Sequence, residues 1–152
     1  GSRKAHTLSG SRKDWPAGIA AENISPEAVR TIMLVEGTPD ALAAYHFATA
    51  MRAPGVLPAA MLGRSCRNIH PEALELFKGK NVRLYPHNDS DGGGLEAAHR
   101  WGTQIRAAGA ARCEIYNFAN LWRMDGSPVN DLNDCTALDP TQQGELETLI
   151  PR

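Results

Sequence analysis

Asp89 and Asp91 stand two positions apart in RLYPHNDSDGGG, after an apolar segment and before three glycines. Two carboxylates at i and i+2 repel each other, and a purely structural turn is served as well by Ser or Asn. The pair therefore calls for solvent screening or for a positive charge between its members. Other acids occupy comparable places: Glu36 closes the apolar run TIMLV, Asp40 follows it by four positions, and Asp131 and Asp134 lie in VNDLND. Carboxylates gathered without His or Cys suit a hard cation with oxygen ligands, Mg²⁺ or Mn²⁺, which relieves their repulsion and holds phosphates.

Glu36 and Asp89 are far apart in the chain, so their convergence depends on the elements between them. TIMLVE reads as a strand buried on both faces. GTPDALAAYHFATAM reads as the following helix, with Thr38 as its cap, Pro39 at the first helical position, and Leu42, Tyr45 and Met51 recurring on one face. VLPAAMLG, from Val56 to Gly63, is a second strand interrupted by Pro58, and HPEALELFKGK a helix that Gly79 ends. NVRLYPH is a third strand. Leu95, Ala98, Trp101, Ile105 and Ala108 mark one face of a third helix that Gly109 stops, and RCEIYNF, from Arg112 to Phe118, is a fourth strand. The rest is loop-rich until a short helix near Gln142 to Ile150. Strands alternating with helices predict an α/β fold, Rossmann-like, with a mostly parallel sheet of about four strands flanked by helices. In such a sheet the acids of strands one and three share the carboxyl edge.

Composition sets outer limits. With 152 residues, 42% hydrophobic and 22% charged, the chain has the balance of one globular domain and not of a disordered one. A formal net charge of −1 gives no whole-chain footprint for nucleic acid, so any such contact is local. The three cysteines, Cys66, Cys113 and Cys135, are scattered and odd in number, which argues against a disulfide framework or a zinc site and for a reducing, cytoplasmic setting. No apolar run approaches the roughly 18 residues of a membrane span, and no signal peptide is visible. Residues 1–29 read as a polar tail or linker, with Gly1-Ser2 as a tag scar, basic doublets Arg3-Lys4 and Arg12-Lys13, and a helical turn near Ser25-Pro26-Glu27.

Three quoted segments together resemble the Toprim domain: LVEGTPD, with a strand ending in Glu-Gly and an Asp four positions after the Glu; AAMLG, a strand ending in glycine; and NDSDGGG, with Asp-x-Asp and a later glycine. The resemblance spans roughly residues 30 to 136 and is strongest to primases of the DnaG type, including primase-like proteins of phages and mobile elements. The later VNDLND is similar to an Asp-rich segment of such primases. Residues 30–152 would then be a Toprim catalytic domain cut from a larger protein. The resemblance implies metal-dependent nucleotidyl transfer, with Mg²⁺ or Mn²⁺, joining ribonucleotides on a single-stranded DNA template in replication. Glu36 would be a metal ligand or general acid/base, and Asp89 and Asp91 the main metal ligands. Asp40, Asp131 and Asp134 would support a second ion or the incoming nucleotide. Expected partners are the template, nucleoside triphosphates, and a helicase or further domains of the same protein, with no membrane. Template-binding and zinc-binding domains of such primases have no counterpart in these residues, so the chain alone is expected to bind metal without making primers. There are two departures from the family: Asn88 replaces a common hydrophobic residue, and Gly92-Gly93 replace a common Glu-Ala.

Plainer readings compete at each position. Asp40 is favoured near a helix start by the dipole alone, and Asp91 suits a helix cap. Arg64 and Arg67 after Gly63 are placed to meet phosphates, although loop arginines are usually solvated. His87, two residues before Asp89, is read as structural more readily than as a ligand, and the tryptophans as core or partner contacts. The same acids would serve a phosphodiester hydrolase of the OLD or maturase sort, and a non-catalytic scaffold that binds DNA or a partner would keep only the fold. A haloacid-dehalogenase reading leaves Glu36 unexplained, and a calcium loop fails because Arg100 stands where its twelfth ligand belongs. No Walker or GxGxxG motif is present.

Overall fold

The computed structural model describes residues 9, 12–23, 25 and 28–150. Four strands, β1 (Thr31–Val35), β2 (Val56–Ala60), β3 (Asn81–Tyr85) and β4 (Arg112–Ile115), form one sheet in the order β2-β1-β3-β4 with every pairing parallel. Helices α1 (Thr38–Ala50), α2 (Pro71–Glu75) and α3 (Gly93–Ala107) fill the three crossovers, and α4 (Gln143–Leu149) follows near the end. This is the α/β, Rossmann-like architecture that the alternation predicts.

The unbroken apolar run of β1 has a direct cause. Side chains alternate across a strand, and both faces of this one are covered. Ile32 and Leu34 pack with Ala73 and Phe77 near α2 and with Ala97, Trp101 and Ile105 of α3. Met33 and Val35 pack with Ala43, Ala44 and Phe47 of α1 and with Phe118, Val129, Leu132, Leu146 and Leu149 of the long C-terminal segment. That segment is irregular, yet its apolar residues complete the second half of the core.

Helix faces differ from the expected ones. Leu42 is 68% exposed and Tyr45 47%, while α1 buries Asp40, Ala43, Ala44 and Phe47. Apolar residues ring this helix, so bulk does not choose its face; small residues let it approach the sheet, and Asp40 pins it. Leu95 is likewise 44% exposed, because the buried stripe of α3 runs through Gly94, Ala97, Ala98, Trp101, Gly102 and Ile105. The cap of α1 is Gly37, with no side-chain cap bond, and Thr38 is already its first residue. Pro58 does not interrupt β2: its missing N–H is tolerated because β2 borders the parallel sheet on one side only. β2, α2 and β4 all end earlier than the sequence pattern indicates, at Ala60, Glu75 and Ile115.

The segment before β1 is more than a polar tail. Ala17 bridges Ala60 in antiparallel fashion, His70 N–H donates to the Asp14 carbonyl at 2.8 Å, and Ile19 and Val29 join the core. Lys80 is buried and its Nζ donates to the carbonyls of Val29 at 2.6 Å and Ser25 at 3.2 Å, so its charge ties this segment down. Gly1-Ser2, Arg3-Lys4 and Pro26-Glu27 lie outside the described residues. Among the described residues no helix is long and apolar enough to cross a membrane.

Candidate metal centre

From β1 the chain crosses to β2 on one side, and from β3 it crosses to β4 on the other. The strand order thus reverses between β1 and β3, and a crevice opens beyond their carboxyl ends. Val35 and Tyr85 are register partners, so Glu36 and the loop from Pro86 leave the sheet side by side. Glu36 is 6% exposed, and its Oε2 has no hydrogen-bond partner among the described residues. A buried carboxylate oxygen left without a donor is costly unless a cation meets it. One ligand atom each from Glu36, His87 and Asp89 lies within 4.8 Å of the other two. Donors about 2.1 Å from an ion stand about 3 to 4 Å apart, so modest closure would let this trio share one.

A second group adjoins the first: Asp40, His87 and Asp131 also offer atoms within 4.8 Å of one another. Asp40 is 2% exposed, accepting from the Asn133 backbone N–H at 3.1 Å through Oδ1 and meeting His87 Nε2 at 2.7 Å through Oδ2. That carboxylate holds the imidazole in one orientation; once the ring is neutral with its proton on Nε2, Nδ1 is the atom able to offer a lone pair, so a metal there would have to displace a proton. The hydrogen bond to Asp40 pushes the His87 pKa up to about 9, against the opposing effect of burial. Burial in turn pushes the Asp131 carboxyl up, although its Oδ1 accepts from Asp134 N–H at 2.8 Å. The loop carrying Asp131 is docked to the crevice by Asn88 N–H, which donates to the Asn130 carbonyl at 2.6 Å.

A pH dependence follows from the His87–Asp40 pair in the metal-free protein. The folded pKa of about 9 exceeds the ordinary imidazole value of 6.5, so this contribution to stability is complete below pH 6.5. It fades as pH rises through 9. After a discount for solvent contact its size is on the order of 1–2 kcal/mol. Urea unfolding between pH 6.5 and 9 should show that fall in the wild type and not in His87→Gln; equal slopes in both would refute the assignment.

The three glycines each have a separate reason. Gly92 adopts φ 71° at the start of α3, where a side chain would be strained. A Cβ on Gly93 would lie 2.8 Å from Arg64 Cζ and closer still to its Nη1. A Cβ on Gly94 would press into the His87 carbonyl oxygen and lie 3.0 Å from Glu36 Oε2. Glycine at position 93 therefore makes room for a guanidinium, and the third glycine lets α3 close on the acids.

That guanidinium is the positive charge between Asp89 and Asp91. Arg64 Nη1 donates to Asp89 Oδ2 at 2.9 Å and to Asp91 Oδ1 at 2.7 Å, while Nη2 donates to Asp91 Oδ2 at 3.0 Å. These bonds hold the Asp91 carboxyl below the usual range. The backbone N–H of Gly63, just before Arg64, donates to the Glu36 carbonyl at 3.1 Å, which fixes this turn beside β1.

Of the acids expected to bind metal, Glu36, Asp89, Asp40 and Asp131 come together, and Asp91 and Asp134 do not join either group. Asp91 points to Arg64, and Asp134 staples its own loop, accepting from Asn130 N–H at 3.0 Å and facing Arg123 at 3.4 Å. Arg64 stands at the site as a counter-ion, and exposed Arg67 lies beside it along one cavity. His87 belongs to both groups and is also paired with buried Asp40, the contact its structural reading anticipates; its position between β3 and the acids is the signal for it in the sequence. No protein-family model, curated protein or solved structure matches the chain.

Proposed function

We propose that the chain is a Toprim-type, primase-like domain that carries out divalent-metal-dependent nucleotidyl transfer. The observation that carries this reading is the buried, unpartnered Oε2 of Glu36, set beside His87 and Asp89 at the strand-order reversal of a parallel sheet. Glu36, His87 and Asp89 would hold one ion, and Asp40 and Asp131 flank it through His87. The mixed oxygen and nitrogen donors favour Mn²⁺ over Mg²⁺, which prefers oxygen alone. A bound ion neutralises charge developing on phosphate oxygens and lowers the pKa of a coordinated hydroxyl.

The protein's own groups do the rest. Asp40 keeps the His87 ring oriented, and the Asp131 loop is tied beside the crevice through Asn88. Glu36, on a rigid strand end, is placed to accept a proton from an attacking hydroxyl. Arg64 brings a planar donor to the edge where phosphates would enter.

The test is binding of a fluorescent nucleoside triphosphate to the full chain with and without Mn²⁺, with synthesis and cleavage of labelled single-stranded DNA followed in parallel. We expect Mn²⁺-dependent nucleotide binding that Asp89→Asn removes. Cleavage without nucleotide binding would transfer the reading to a hydrolase. One observation favours a non-catalytic scaffold, namely that Arg64 already neutralises Asp89 and Asp91. Failure of any metal to bind, with nucleotide present as well as without it, would favour that alternative.

A further inference from the structure

We propose that Arg64 is an exchangeable counter-ion: it keeps Asp89 and Asp91 from cations until phosphate oxygens in the adjoining arginine-lined cavity draw it away. The inference rests on the metal-centre reading and adds a control on when that centre fills.

Arg64 spans the two acids with three charge-assisted bonds, so Asp89 cannot turn fully to an ion while the guanidinium keeps its place. The seat is shaped for it, since Gly93 is where any Cβ would collide with the guanidinium. It is also easy to leave. The side chains of Arg64 and Asp91 are 43% and 62% exposed, and exposed ion pairs are weak and screened.

A destination lies next to the seat. A cavity of about 300 Å³ is lined by Arg64, Ser65, Arg67, Gly93, Glu96 and Arg100. Arg100 pairs with Glu96 at 2.7 Å and donates through Nη2 to the Arg64 carbonyl at 3.2 Å, so the backbone under Arg64 is tied independently of the bonds its side chain makes to Asp89 and Asp91. Its Nε is buried without a partner among the described residues. Of the lining charges Arg64 is paired with Asp89 and Asp91 and Arg100 with Glu96, so Arg67 is the arginine there with no ion pair among the described residues, and all three guanidiniums border the cavity. Phosphate oxygens entering there would take the Arg64 donors and release Asp89 to the ion, which couples anion and metal binding in the same direction.

The experiment is calorimetric titration of Mn²⁺ into the wild type, Arg64→Met and Gly93→Ala, in phosphate-free buffer and again with inorganic phosphate, corrected for free Mn²⁺. Arg64→Met removes the charge; Gly93→Ala keeps it but pushes the guanidinium off its seat, with the fold checked in each. Both variants should bind Mn²⁺ about fivefold more tightly than the wild type, the scale of a lost exposed ion pair. Phosphate should raise the wild-type affinity and leave Arg64→Met unchanged. If the wild type binds Mn²⁺ and neither variant binds it more tightly, the counter-ion proposal falls while the metal centre stands. A phosphate effect that persists in Arg64→Met overturns the release step. No Mn²⁺ binding by any of the three proteins removes the metal-centre reading itself, and the proposal with it.

Discussion

Glu36→Gln should reduce Mn²⁺ affinity by at least about 100-fold while leaving the folded state as stable as before or more so, by about 1 kcal/mol. The two effects share one cause. Oε2 of Glu36 is buried and lacks a donor among the described residues, so the metal-free protein bears a desolvation cost there. A neutral amide carries less of that cost and is a far poorer metal ligand. A side chain kept for structure would behave oppositely, because its removal would cost stability and spare binding. Chemical denaturation of the metal-free protein, paired with Mn²⁺ titration, separates the cases. A variant that loses several kcal/mol yet binds Mn²⁺ normally would show that Glu36 is a structural strand terminator.

Gly94→Ala should be the most damaging of the glycine substitutions, at a cost of about 2–3 kcal/mol in stability and about tenfold in Mn²⁺ affinity. Alanine in a helix ordinarily gains up to about 1 kcal/mol over glycine, so the clash has to outweigh a favourable propensity. It does so because the atoms in the way are the His87 backbone O and N, which are fixed by the sheet they leave. Glu36 Oε2, 3.0 Å from the added carbon, would be displaced from the crevice at the same time. Gly144→Ala in α4, with no atom within 4 Å of its added carbon, is the control and should be neutral or stabilising. Urea midpoints that move alike for both variants would mean that α3 does not press on the acids as described.

Much of the frame was legible because its determinants are local. TIMLV can be buried on both faces only in a covered sheet, and its burial there requires no knowledge of partners. The alternation that follows sets the sheet class, and the sheet class sets which edge carries Glu36 and Asp89. Faces of helices were less legible. In α1, apolar residues surround the axis, and the choice of Ala43, Ala44 and Phe47 over Leu42 and Tyr45 depends on how closely the helix meets the sheet.

The α/β alternation, the acids at the carboxyl edge, and the choice between solvent screening and a positive charge for Asp89 and Asp91 could all be read along the chain. Only the tertiary structure decided that Arg64, 25 residues before Asp89, supplies that charge in the metal-free chain. It also decided that His87 and not Asp91 stands with Glu36, and that Asp134 serves its own loop. The physical reason is range. Strand and helix character arise from neighbours along the chain, whereas an ion pair or a ligand set depends on which side chains long crossovers bring within a few ångströms of one another. Gly93 leaves the space in which Arg64 meets Asp91, while Asp89 meets both Arg64 and the crevice group.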